Sequence, residues 1–305
     1  MAGSILLGIL ELFILFGLGM AARKLKLITE ETITGMSRII LDVLFPVLIF
    51  QSLVRDFDPR RLGELWPLPC AGFAVMLLGG AASFLLEKGL RTDEDSVRKT
   101  FRHLCAINNY TFLPVILLGR IMGDTGIAQL FFLNIGSTLG FWTIGIGLLG
   151  KTGSIKKLLR SLVTPSLVAI ILSLSLSLTG VGGYIPDFIL DVFKKAGTAS
   201  VQIMLVLIGA SWTGLSFRGD IWNQGYLAFV RLIFLPAVFS LILFLLRLPT
   251  DVFMVSLIAA IMPVSSQSPI ITRRYGGSPD FASRAVIVTT LASAVTVPLW
   301  VMIFR

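Results

Sequence analysis

The sequence predicts an all-α integral membrane protein: ten transmembrane helices in two inverted five-helix repeats, with helices 4 and 9 broken and crossing. Three observations carry this expectation. Of 305 residues, 55% are hydrophobic and only 14% charged, whereas a soluble domain is about a quarter charged. Apolar runs long enough to span a bilayer, roughly 20 residues each, recur from one end of the chain to the other. A basic linker divides these runs five and five. An odd number of spans per half sets the second half upside down relative to the first, the inverted repeat common in secondary transporters.

Taken in order, the candidate spans are 4–22, 33–54, 65–87, 101–121 and 126–149, then 161–179, 184–214, 222–246, 252–272 and 281–304. The chain therefore divides into a first repeat at 1–150, a basic linker at 151–160 and a second repeat at 161–305. The first run has no basic n-region and no small-residue cleavage site, so it reads as an uncleaved helix. Seventeen of the 26 Lys and Arg are assigned to the side of the loops after spans 1, 3, 5, 7 and 9, eight to the other side, and Arg231 lies inside a span. Basic residues mark the cytoplasmic side, so both termini are expected to be extracytoplasmic in a plasma (bacterial inner) membrane.

The net charge of +9 lies in these short clusters between apolar runs, a topology signal that argues against nucleic acid as a partner. Cys70 and Cys105 have no CxxC spacing, and His103 is the one histidine, so neither a disulfide framework nor a metal centre is expected. No HExxH occurs. The expectation is a protein that is not an enzyme, uses no cofactor and draws energy from an ion gradient.

Two spans carry the chemistry. The fourth reads "CAINNYTFLPVILLGRIMGDTGIA" and the ninth "AAIMPVSSQSPIITRRYGGSPDFA". Each sets a polar cluster, a proline and a glycine-containing loop at nearly the same offset, with Pro114 matching Pro269 and Gly123 matching about Gly277. A proline removes a backbone donor and frees a carbonyl on the preceding turn. Within a bilayer, such groups persist only where protein or a water-filled cavity satisfies them. Two broken helices crossing at mid-membrane can satisfy each other and offer half-helix N-termini to a carboxylate.

The chain resembles the auxin efflux carrier family, whose fold is shared with bile-acid sodium symporters. The resemblance rests on "LDVLFPVLIFQSL" at 41–53, "INNYTFLPVILLG" at 107–119, "TPSLVAIILSLSLSLTGVGGYIP" at 164–186, "LVLIGASW" at 205–212, "RLIFLPAVFSLIL" at 231–243 and "YGGSPDFASRAVIVTTLASAVTVPLW" at 275–300. It implies a scaffold of spans 1, 2, 6 and 7, often a dimer contact, and a moving transport domain of spans 3–5 and 8–10, an elevator-like arrangement. The short linker departs from plant members, which carry a long hydrophilic loop there. This brings the chain nearer to bacterial carriers, which are linked to organic anions such as dicarboxylates. "PVSSQSPII" at 263–271 is also more polar than the usual ninth span and has a second proline.

The expected substrate-binding residues are Asn108, Asn109 and Pro114 in span 4, and Pro263, Ser265, Ser266, Gln267 and Ser268 in span 9. Asp42, four residues before Pro46, and Glu11, about midway along span 1, are the coupling-ion candidates. An ionisable group stranded in a membrane helix costs at least ~2.5 kcal/mol and is a functional candidate by default. Arg38, one turn from Asp42, offers that residue an ordinary partner instead. Arg231 in span 8 is expected to cap helix carbonyls or pair with a carboxylate, and Gly136 and Gly140 to bring two helices into close contact. The function expected is secondary active transport of a small organic anion (a carboxylate or auxin-like acid), coupled to protons or sodium. Alternatives are a sodium-coupled bile-acid-type symporter and, from another class, a membrane ligand sensor without transport.

Overall fold

The computed structural model describes residues 2–150, 163–212 and 220–304. The basic linker at 151–160, with Lys151, Lys156, Lys157 and Arg160, lies outside the described residues, as do Arg218 and Arg305. Eleven helices follow in order among the described residues: α1 Ala2–Lys24, α2 Glu30–Asp56, α3 Pro59–Gly89, α4 Asp95–Ala106, α5 Phe112–Gly145 and α6 Pro165–Thr179. Then come α7 Asp187–Ser211, α8 Ile221–Leu245, α9 Thr250–Ala260, α10 Ser268–Tyr275 and α11 Pro279–Ile303. Six of these, α2, α3, α5, α7, α8 and α11, are long and apolar enough to cross a membrane.

The apolar residues divide between a core and a bare outer surface. On α1, Leu7, Leu10, Ile14 and Leu18 are each more than half exposed along one face, a spacing that repeats helical turns. Water would make so large an apolar face unfavourable; acyl chains cover it without penalty. Inside, contacts form two groups. α1 runs along α7, and α2 packs on α6 and α7; α3 runs along α5 and holds α4, while α8 packs on α9 and α11, α10 on α11, and α9 on both α3 and α5. The groups meet where α1 and α2 lie on α5.

Small residues set the closest approaches. A Cβ on Gly136 would fall 1.7 Å from the carbonyl oxygen of Pro69, so α5 touches the backbone of α3 there. Gly140 faces Met76 on the same helix pair. This is the close packing expected of the pair, and it lets dispersion and backbone contact replace a hydrophobic drive that lipid cannot supply.

The sequence puts the break of span 4 at Pro114, whereas the structure puts it at 107–111, between α4 and α5. Pro114 is the third residue of α5, and Pro269 the second of α10. In a first turn the N–H has no intrahelical acceptor, so proline is accommodated there and starts the helix. The boundary expected between spans 4 and 5 is a kink within α5, at Gly123 with φ 67° and ψ −155°. Its counterpart after α10 is Gly276 at φ 95°, one residue before the Gly277 expected from the sequence. Both conformations suit glycine because they lack a Cβ clash.

Prolines also shape α2 and α8. Wide π-helical turns at Ile40–Leu44 and Val230–Phe234 precede Pro46 and Pro236. The missing N–H of Pro236 leaves the Leu232 carbonyl without its helical donor. The indole Nε1 of Trp300 on α11 supplies one, at 2.8 Å.

Candidate functional site

The interruption at 107–111 and a second one at 261–267, between α9 and α10, pair with each other. Asn108 and Val264 form an antiparallel bridge. The N–H of Asn109 donates to the Pro263 carbonyl at 2.8 Å, and that of Ser265 donates to Ile107 at 3.4 Å. Thr289 on α11 accepts from the Val264 N–H at 3.4 Å. Backbone groups released by two breaks thus satisfy one another inside the protein, the condition under which broken helices persist at membrane depth.

The backbone at the break is extended, so adjacent side chains point apart. Asn108, 1% exposed, donates its amide Nδ2 to the Ala259 carbonyl at the end of α9. Asn109 turns the other way, and its Oδ1 accepts the Phe112 N–H at 3.2 Å, capping α5. Both asparagines are therefore built into the crossing. One atom is left over: Asn108 Oδ1 is buried and has no hydrogen-bond partner among the described residues. Because Nδ2 must face a carbonyl, the free atom is an acceptor.

Arg231 locks the crossing from behind. Its side chain is 1% exposed. It donates through Nη2 to Ala260 at 2.9 Å, through Nε to Met262 at 3.1 Å and through Nη1 to Cys105 at 3.4 Å. Cys105 is near the end of α4, Ala260 ends α9 and Met262 lies in the break, so one guanidinium caps the C-terminal carbonyls of both first half-helices. Carbonyl dipoles at two helix ends supply the negative potential that such a cation needs. Of the two roles the sequence left open, capping is the one observed.

His103 is a residue whose position the sequence did not reveal. Span 4 as read from the sequence put it near the membrane edge, but it is fully buried. Nδ1 lies 2.9 Å from the Gly145 carbonyl at the end of α5, and Nε2 lies 3.3 Å from the Ser268 hydroxyl. A carbonyl only accepts, so Nδ1 carries the proton and Nε2 accepts from Ser268. The ring ties α4 to the first residue of α10.

The other expected residues divide. Pro114 and Pro263 are buried, the latter at the crossing through its carbonyl. Ser265, Ser266 and Gln267 are half-buried. Ser265 closes the start of α10: its hydroxyl accepts the Gln267 N–H and its carbonyl that of Ser268. The Gln267 carbonyl accepts from Ile270 and Ile271. The N-terminus of α10 is thus capped by its own turn and is not the bare anion site pictured from the sequence.

Asp42 is exposed within the π-turn of α2, 3.6 Å from Arg38. That is the partner one turn away, and no described hydrogen bond or ion pair joins Asp42 to the crossing. Glu11 is paired with Arg120 at 2.5 Å, linking α1 to α5. Four residues after Arg120, Asp124 pairs with Lys194, linking α5 to α7. Both pairs join the two helix groups.

Apolar helices with a lipid-ready exterior, and broken helices whose backbone is satisfied only within the bundle, define a multi-pass membrane protein of the transport class. A family model described as "Membrane transport protein" matches residues 4–154 and 151–301. The chain belongs to this family, the auxin efflux carrier family. It is 25% identical over 297 residues to an "Uncharacterized transporter" of Methanothermobacter thermautotrophicus, covering 96% of both chains. It is 23% identical over 296 residues to another uncharacterized transporter, from Methanocaldococcus jannaschii, again covering 96% of each.

Proposed function

We propose that the protein is a secondary active transporter of a small organic anion, driven by an ion gradient and working by alternating access. The observation that carries this reading is the pairing of the two breaks through Asn108–Val264 and Asn109–Pro263. A crossing of this kind interrupts two helices at one depth and leaves polar groups there, as substrate sites of transporters with inverted repeats do. In this reading α4 with the start of α5 is span 4, the rest of α5 is span 5, and α9 with α10 is span 9. Together with the other helices this makes ten spans in two inverted repeats. The matched segments 4–154 and 151–301 meet at the linker, which supports the division.

α1, α2, α6 and α7 form the scaffold, through which two copies associate, and α3–α5 with α8–α11 form the domain that moves. Asn108, Asn109, Pro114, Pro263, Ser265, Ser266, Gln267 and Ser268 frame the substrate site, and Asp42 and Glu11 are the groups available for coupling. The protein sits in the plasma membrane with both termini outside and catalyses no covalent step.

A specific observation favours sodium as the coupling ion. The free group at the crossing, Asn108 Oδ1, is an acceptor, and oxygen acceptors with unwound backbone carbonyls suit a cation rather than a carboxylate. The test combines a panel of mono-, di- and tricarboxylates with and without sodium, read by thermal shift and then by uptake into liposomes. A ligand that binds the native state raises its melting temperature by mass action. A shift with at least one carboxylate, followed by gradient-driven uptake, is expected. No shift with any anion, and no uptake, would remove the carrier reading.

A further inference from the structure

Arg231 gives one N–H from each of its three nitrogens to a carbonyl, and among the described residues no carboxylate pairs with it. A guanidinium has five N–H groups, so one remains on each terminal nitrogen. We propose that these two belong to a second binding site, behind the crossing and open to the bilayer. It takes a single-chain anionic lipid: a free fatty acid with its carboxylate on Arg231 and its tail running out between α3 and α8. The inference does not use the carrier reading and assigns no substrate.

A cleft of about 230 Å³ lies between α3, α8 and α9. Its inner end is formed by Arg231 and Ala260, both buried, and its mouth by Phe234 and Val238, each 39% exposed on the outer face of α8. Val75 and Leu78 of α3 make the facing wall. The wide turn Val230–Phe234 carries Arg231 into the protein while Phe234 stays at the surface. Gly79 ties this wall to the crossing, because a Cβ there would fall 2.3 Å from the Cys105 carbonyl oxygen that Arg231 caps. Arg231 lies roughly 15 Å from the start of α8 at 1.5 Å per residue, about half the thickness of a hydrocarbon core.

Depth, charge and walls together define the occupant. A phospholipid headgroup stays at the membrane surface and does not reach this level. An acyl chain alone would fill the walls but leave two charged N–H groups facing hydrocarbon, which is costly. A small polar anion would satisfy Arg231 but leave the apolar walls uncovered. A fatty acid does both: its carboxylate accepts charge-assisted hydrogen bonds from the guanidinium, and its methylenes lie on Val75, Leu78 and Val238. The carboxylate also gives a buried cation the counter-charge that it lacks within the chain. Because α3, α8 and α9 belong to one helix group, the acid stays clear of the junction with α1 and α2. It braces the ends of α4 and α9 through Arg231, so its effect is to stabilise the crossing from behind.

Photolabelling tests this on the purified full-length protein in phosphatidylcholine nanodiscs, with a laurate analogue that carries a diazirine on its alkyl chain. Mass spectrometry is expected to place the label on the cleft walls of α3 and α8. Excess laurate should lower that labelling at least tenfold, and excess dodecanol, with the same tail and no charge, should leave it unchanged. Val238→Trp, which fills the mouth without replacing the guanidinium, should also lower it at least tenfold. In Arg231→Met, dodecanol should compete as well as laurate. Melting without ligand checks that each variant is folded, and if Arg231→Met is not, the dodecanol and Val238→Trp results decide. Equal displacement by dodecanol and laurate in the wild type would reduce the cleft to a plain acyl-chain groove and overturn the proposal. So would undiminished labelling of Val238→Trp, or label at 107–111 and 261–267 in place of the cleft. None of these outcomes removes the carrier reading, which the carboxylate panel tests separately.

Discussion

The backbone N–H of Asn109 reaches the carbonyl of Pro263 at 2.8 Å, joining a break in one half of the chain to a break in the other. Neither segment could keep its backbone unpaired at membrane depth, where each unsatisfied group costs several kcal/mol. The pairing is thus a condition for both breaks.

Asn109 has two separable duties, because its backbone makes the crossing and its side chain caps α5 through Phe112. Asn109→Ala keeps the first and removes the second. A lost cap costs about 1 kcal/mol, so the variant is expected to fold, melt a few degrees lower and lose uptake in liposomes. Undiminished uptake with both asparagines replaced would sink the site assignment.

Arg231→Met is expected to destabilise the fold by about 3 kcal/mol, because three helix-end carbonyls lose a charged donor at once. Arg231→Lys should recover only part of this, since one ammonium cannot span the ends of α4 and α9. Thermal melting in detergent measures both. Wild-type melting of the methionine variant would show that the guanidinium is not the cap.

Trp300 and Pro236 are coupled through the Leu232 carbonyl. Trp300→Phe should cost about 1 kcal/mol in the wild type. In a Pro236→Ala background, where residue 236 regains an N–H for that carbonyl, the cost should shrink. A double-mutant cycle reads the interaction directly, and additive effects would contradict it.

The proposed sidedness, with both termini outside, rests on the lysine and arginine distribution. In a chain with Cys70 and Cys105 replaced by serine, Lys88→Cys is expected to resist an impermeant maleimide applied outside the cell. Lys195→Cys should react. Both lysines are exposed, so access rather than burial decides the result, and the reverse pattern would invert the topology.

The sequence by itself determined the class and the location of interest. Apolar runs are local and countable, and an Asn–Asn pair or a Ser-rich, proline-flanked stretch inside one is conspicuous because lipid penalises it. It also marked Gly123, and Gly277 within one residue of Gly276, as the ends of the half-helices. What it could not fix were relations between distant segments. It put a break at Pro114, where the structure starts a helix, because a proline signals a missing donor but not on which side the helix lies. The commitment of Arg231 to carbonyls, the burial of His103 against Ser268, and the meeting of Glu11 with Arg120 each depend on which helices become neighbours. Those neighbours are chosen by packing over the whole bundle, where backbone contact through glycines and mutual satisfaction of broken helix ends act together, and no local pattern records that choice.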